Sequence, residues 1–143
     1  MSVAAYPAIL FTVLLLAITA YSVLGGMPLL ILKHDVPLDA RFVQGFFFHY
    51  YRVASWFAVC ACLSYLVWGR YELGAGAAVI AAGTLDLRRR IPRGMQGLGA
   101  QIAADDANAI QRFRRLHAFA LVVNLALLLV LVAGVLRLAQ LLA

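Results

Sequence analysis

The chain has 143 residues, of which 65% are hydrophobic and 13% charged, with a formal net charge of +6. A soluble domain is roughly 25% charged, so a mean hydropathy of +0.93 excludes a chain that covers itself with polar surface and points to a single integral membrane domain. Eleven of the twelve Lys and Arg fall between Lys33 and Arg115, and eleven of the twelve are arginine, a bias that suits a GC-rich bacterial genome.

The first predicted span, residues 4–32, carries no charge and is long enough to cross a hydrocarbon core of ~30 Å. It lacks the basic n-region of a secretory leader, so it reads as a retained transmembrane helix. Gly25-Gly26-Met27-Pro28 is expected to loosen or kink its end. Lys33–Arg41 reads as a short polar turn in which Asp39 caps the next helix.

The second span, residues 42–68, opens on Gly45–Trp56, GFFFHYYRVASW. Phe46, Phe47, Phe48, Tyr50 and Tyr51 at one end, with Tyr65 and Trp68 at the other, match interfacial aromatic belts. Cys60 and Cys62 point ~200° apart on a helix, which suits two inert thiols better than a ligand pair. Arg70 and Glu72 mark a tight turn.

The third span, residues 73–90, is short in its apolar part, since Leu73–Leu87 rises only ~22 Å. Its small residues Gly74, Ala78 and Ala82 predict close packing against neighbouring helices. Asp86 is neutralised by Arg88–Arg90, which can snorkel outward. Residues 88–115 read as the one substantial polar loop, broken by Pro92, Gly94, Gly97 and Gly99. Within it Ala103–Arg115 looks helical, with Asp105 and Asp106 at its start and arginines at its end, the order that suits the helix dipole. It leads into the fourth span, residues 116–136.

The two basic loops carry Lys33, Arg41, Arg88, Arg89, Arg90, Arg93, Arg112, Arg114 and Arg115; the other side has Arg70 and Arg137. The positive-inside rule puts both basic loops in the cytoplasm and both termini outside. The expected fold is therefore an all-α, up-down-up-down four-helix bundle in a bacterial inner membrane.

All three histidines, His34, His49 and His117, fall near the predicted cytoplasmic level. Two readings follow. In one, His49 and His117 are axial ligands of haem b or ligands of a metal between the second and fourth spans, with Arg52 on a propionate. In the other they are interfacial side chains and no cofactor is held. Arg52 either snorkels to headgroups or makes an interior polar contact. Tyr50, Tyr51, Arg52, His117 and Asn124 are the candidate interhelical polar residues, Asn124 as mid-span glue. Arg88–Arg93 and Arg112–Arg115 serve either as a topology signal or as an anionic-lipid site. The chain has no nucleophile–base pair, P-loop or HExxH motif and no aromatic-basic platform for nucleic acid, so neither an enzyme nor a nucleic-acid binder is indicated.

Three stretches, GGMPLLILKHDVP, FFFHYYRVA and RFRRLHAFALVVNLALLL, resemble a family of small bacterial four-span proteins of unknown function allied to the eukaryotic transmembrane protein 205. The resemblance covers roughly the whole chain. It implies Tyr50, Tyr51, Arg52, Phe113, Leu116, His117 and Asn124 as the family positions. His49 stands where a variable residue is expected, and Ala120 replaces the family's serine. The eukaryotic relatives' link to metal-drug resistance implies transport or trafficking. The expected role is an accessory subunit that interacts with other membrane proteins, with haem or metal binding and small-molecule or metal transport as alternatives.

Overall fold

Small and apolar residues recur every three or four positions along four segments, the repeat that gives a helix one buried face. Each segment forms one helix in the computed structural model, which describes residues 3–104 and 106–142. They are α1 (Ala5–Leu29), α2 (Pro37–Val67), α3 (Tyr71–Ala103) and α4 (Ala107–Leu142). Asp105, expected near the start of the last helix, lies outside the described residues.

The buried face of α1 is Ala5, Ala8, Thr12, Leu15, Thr19, Ser22, Val23 and Gly26. Pro28 lies in its last turn, where the helix is already ending. There the Leu30 N–H bonds the Met27 carbonyl at 3.1 Å and Ile31 bonds Pro28 at 3.1 Å, a tightening to i→i−3 bonds typical of helix ends.

α2 begins earlier than residue 42. Val36 is extended (φ −103°, ψ 131°) and Pro37 takes the first helical position, because the residue before proline avoids helical geometry and proline suits the N-terminus. Asp39 sits in the first turn, but no side chain caps this helix, which corrects its expected role. The α2–α3 turn is Trp68–Arg70, with Gly69 at φ 77°, a left-handed conformation that glycine adopts without steric cost. The Arg70 guanidinium lies 5.3 Å from the Trp68 ring centre.

The expected polar loop over residues 88–115 is the largest correction. α3 runs unbroken through Arg88–Arg90, Pro92, Gly94, Gly97 and Gly99 to Ala103, and α4 starts at Ala107. Ile91, Pro92, Met95 and Ile102 are buried along this stretch, and tertiary burial of a helix face overrides weak local propensity. Gly94 has a packing role, since a Cβ there would lie 2.9 Å from Leu116 Cδ2. The Asp106 carboxylate accepts the Asn108 N–H at 2.9 Å, tying down the start of α4. The upper face of α3 also differs in register: Gly74, Ala77, Ala81 and Thr84 are buried, whereas Ala78 and Ala82 are exposed.

Consecutive helices are antiparallel neighbours and α4 closes the ring against α1. Thr12 meets Tyr65, Ala40 faces Gly99, Glu72 faces Arg137, and Ser22 meets Asn124. By length and composition α1, α2 and α4 qualify as membrane spans. α3, the expected third span, carries Glu72, Asp86 and four arginines among its 33 residues and does not qualify on composition.

The aromatic run on α2 is divided by helical register. Phe47, Tyr50 and Tyr51 are 0%, 3% and 0% exposed, so they are core residues, not the belt expected of them; Phe48 is 41% exposed. Phe47→Ala should therefore cost about 3–5 kcal/mol in detergent unfolding, with Phe48→Ala nearly neutral. Equal losses would contradict this register.

Candidate functional site

An apolar bundle interior offers no water to its polar side chains, so each must find a partner on another helix. The inward face of α1 carries most of them. Thr12 and Thr19 each donate to the carbonyl one turn back, Ala8 and Leu15, both at 2.7 Å. Their oxygens then accept from tyrosines on α2: Tyr65 to Thr12 at 2.8 Å and Tyr50 to Thr19 at 3.3 Å. One turn further, Asn124 of α4 donates to Ser22 at 2.8 Å and accepts from the Tyr51 hydroxyl at 3.0 Å. This triad joins α1, α2 and α4.

The ladder ends in two histidines. His117 Nε2 lies 3.2 Å from the Gly26 carbonyl, and its Nδ1 lies 3.4 Å from His34 Nε2. The Gly26 carbonyl is open because the Leu30 N–H turns to Met27. A carbonyl only accepts, so neutral His117 carries its proton on Nε2. Its Nδ1 then accepts, and His34 donates from Nε2. His34 Nδ1 is buried, and among the described residues no group meets it in hydrogen-bond geometry.

Phe113 and Phe47 enclose the pair, with ring centres 5.4 Å from His34 and 5.3 Å from His117, and both histidines are 0% exposed. His34 lies in the α1–α2 connection with φ 59°, a left-handed conformation costly for a residue with a Cβ. Burial, the largest effect, pushes its pKa below the ordinary 6.5; the Leu32 backbone and the carboxylates of Asp39 and Asp35 oppose that shift, and Arg114 adds to it.

His49, by contrast, is exposed on the outer side of α2. Its Nδ1 lies 2.8 Å from its own helix's Gly45 carbonyl, and it lines an outer groove with Ile18, Tyr21 and Phe46. His49 and His117 therefore do not share a site; His117 is paired with His34. Arg52 is exposed as well and reaches neither His117 nor Asn124. Tyr50, Tyr51, His117 and Asn124 are the expected polar residues that the fold brings into the interior.

Of the basic residues, Arg90 pairs with Asp86 at 2.8 Å and Arg112 with Asp106 at 3.3 Å. Arg88, Arg89 and Arg93 line a groove between α2 and α3. Arg114 and Arg115 are exposed.

His34 is the residue that sequence reasoning passed over. Its shared level with His117 was a usable signal. Choosing it over His49 needed the register of α2, where His49 follows buried Phe47 by two positions and so points ~200° away. The two imidazoles could accept one proton between them or ligate a two-coordinate ion; no group of three or more His, Cys, Asp or Glu suited to a metal occurs among the described residues. No family model, curated protein or solved structure matches the chain.

The lowered His34 pKa has a definite sign. Between the folded value and 6.5 the unfolded chain binds the extra proton and the folded chain does not, so stability rises with pH across that window. The contribution is fully present above about 6.5 and is lost as pH falls towards the folded pKa. The melting temperature in detergent should drop between pH 7.5 and 5, and His34→Asn should flatten the slope. A wild-type profile independent of pH would contradict the assignment.

Proposed function

We propose that the chain is an integral membrane bundle acting by association within the bilayer, as an accessory subunit of a larger membrane complex. The observation that carries this reading is on α4. Its best 18-residue window is the most apolar of the three candidate spans, at hydropathy 2.9, yet only 22% of it is buried, against 33% for α1 and 39% for α2. Leu125, Leu129, Val132 and Leu136 are exposed along it. Such a face suits lipid on one side and a partner helix on the other.

The interior supports the same reading. Its hydroxyl, phenol and amide groups bond one another across helices, and interhelical bonds of this kind contribute about 0.6–2 kcal/mol each. A ladder so paired fixes helix register. Five of the residues that carry the resemblance to the four-span family, Tyr50, Tyr51, Phe113, His117 and Asn124, are buried here, which suits a family signature of structure. In this reading the end of the bundle that carries Lys33, Arg41, Arg88–Arg90, Arg93, Arg112, Arg114 and Arg115 faces the cytoplasm of a bacterial inner membrane and both termini face the other side.

Two measurements test the proposal. In a background with Cys60 and Cys62 replaced by alanine, an impermeant thiol reagent on spheroplasts should label Glu72→Cys, and should label Asp35→Cys only after lysis. The opposite pattern would invert the orientation, and equal labelling of both before lysis would remove the crossing. For the accessory role, the protein extracted in mild detergent should co-migrate with a larger assembly, lost in Leu129→Trp/Val132→Trp at unchanged helicity. Migration as a lone monomer or homodimer from native membranes would contradict it.

A further inference from the structure

The α2–α3 seam opens into a groove of about 530 Å³ whose lining is mixed in chemistry. Phe48 and Leu85 supply its large apolar side chains, and Arg88, Arg89 and Arg93 its charged ones. Among the described residues no carboxylate lines the groove. Two carboxylates near it in sequence are engaged elsewhere, Asp86 by Arg90 and Asp106 by Arg112. Arg88 makes only a long bond, 3.5 Å, to the Ser55 hydroxyl. Three guanidinium groups within two turns repel one another, and a shared anion removes that repulsion.

The depth of the groove identifies the anion. Trp68 and Arg70 at the α2–α3 turn form an aromatic-cation pair suited to one membrane interface. At ~1.5 Å per residue, Phe48 lies ~30 Å from that turn along α2, and Arg88 and Arg93 lie ~26 and ~33 Å from it along α3. A hydrocarbon core of ~30 Å would therefore end within the groove, with Leu85, ~21 Å from the turn, on the acyl side and Phe48 at the level of the arginines, between Arg88 and Arg93, whose side chains can extend outward to phosphates. Gln44 and Gln96, further along the seam, can donate to a headgroup's remaining oxygens.

We propose that this groove binds the phosphate of an anionic glycerolipid of the adjoining leaflet, held by Arg88, Arg89 and Arg93, with its glycerol and first acyl carbons passing Phe48 towards Leu85. Arginine forks match phosphate oxygens two at a time, and the apolar part of the lining, Phe48 and Leu85, gives a lipid an advantage that free phosphate lacks. The inference rests on the bilayer reading of α1, α2 and α4. It is tested in micelles, so its failure leaves the labelling result above standing.

The full chain in neutral detergent, titrated with phosphatidylglycerol and examined by native mass spectrometry, should retain the lipid in preference to phosphatidylcholine. Arg88→Gln/Arg89→Gln/Arg93→Gln should weaken retention about tenfold or more, because each basic residue near an anionic headgroup adds to the attraction. Arg112→Gln/Arg114→Gln/Arg115→Gln, which removes the same charge elsewhere, should change it little. Equal loss in both triple variants, equal retention of phosphatidylcholine, or displacement by inorganic phosphate at the lipid's concentration would each overturn the proposal. Should the groove variant lose helicity, Phe48→Trp decides. Its added fluorescence should be quenched more by acyl-brominated phosphatidylglycerol than by the phosphatidylcholine analogue, and equal quenching would refute the site.

Discussion

An interior that excludes water makes every polar atom within it depend on a partner from another helix, and the architecture of this bundle follows from that constraint. α1 has no charge to place, but its inward face carries Thr12, Thr19, Ser22 and the open Gly26 carbonyl. Each is matched from α2 or α4 by Tyr65, Tyr50, Asn124 or His117. The matches fix the axial register of both helices against α1. A slide by one turn would separate every pair and leave several buried groups unsatisfied, at about 1–3 kcal/mol each.

The histidine pair closes the ladder at the end where α1 gives way to its connection to α2. There the arrangement is less complete. His34 holds a left-handed backbone and a buried nitrogen that no group among the described residues meets in hydrogen-bond geometry, both unfavourable, while its other nitrogen bonds His117. Strain of this kind persists where surrounding packing determines it, and Phe113, with Phe47 beyond His117, supplies that packing. It is the place in the interior most responsive to a proton.

α3 contributes differently. The fully buried residues of its first half are small, Gly74, Ala77, Ala81 and Thr84, with Leu73, Ile80 and Leu87 half-buried beside them, and small residues let helix backbones approach closely. Its second half continues the same helix beyond the apolar stretch and displays arginines along the α2 seam. One helix thus packs against its neighbours along its whole length, through Ile91, Met95 and Ile102 in the second half, and adds a charged face only there. This explains why its composition falls short of a membrane span while its structure runs the length of its neighbours.

The all-α class, the apolar character of α1, α2 and α4, and the approximate places of the first two turns, read at Lys33–Arg41 and Arg70–Glu72 and found at residues 30–36 and 68–70, were legible in the sequence, because hydropathy and breaker residues act locally. Proline and glycine near residues 92–99 misled for the same reason: they report local propensity, and burial of Ile91, Met95 and Ile102 outweighed it. The aromatic run GFFFHYYR could be read as a belt from composition; the register of α2 in the structure makes Val43, Phe47, Tyr50 and Ala54 its buried face and leaves His49 and Arg52 on the outer one. Tyr51, Asn124 and His117 were visible as polar residues in apolar surroundings. That Asn124 joins Tyr51 to Ser22, and that His117 takes His34 as its partner, was decided by the tertiary structure alone, because those bonds link residues 73 to 102 positions apart in sequence and exist only once three helices have set their registers together.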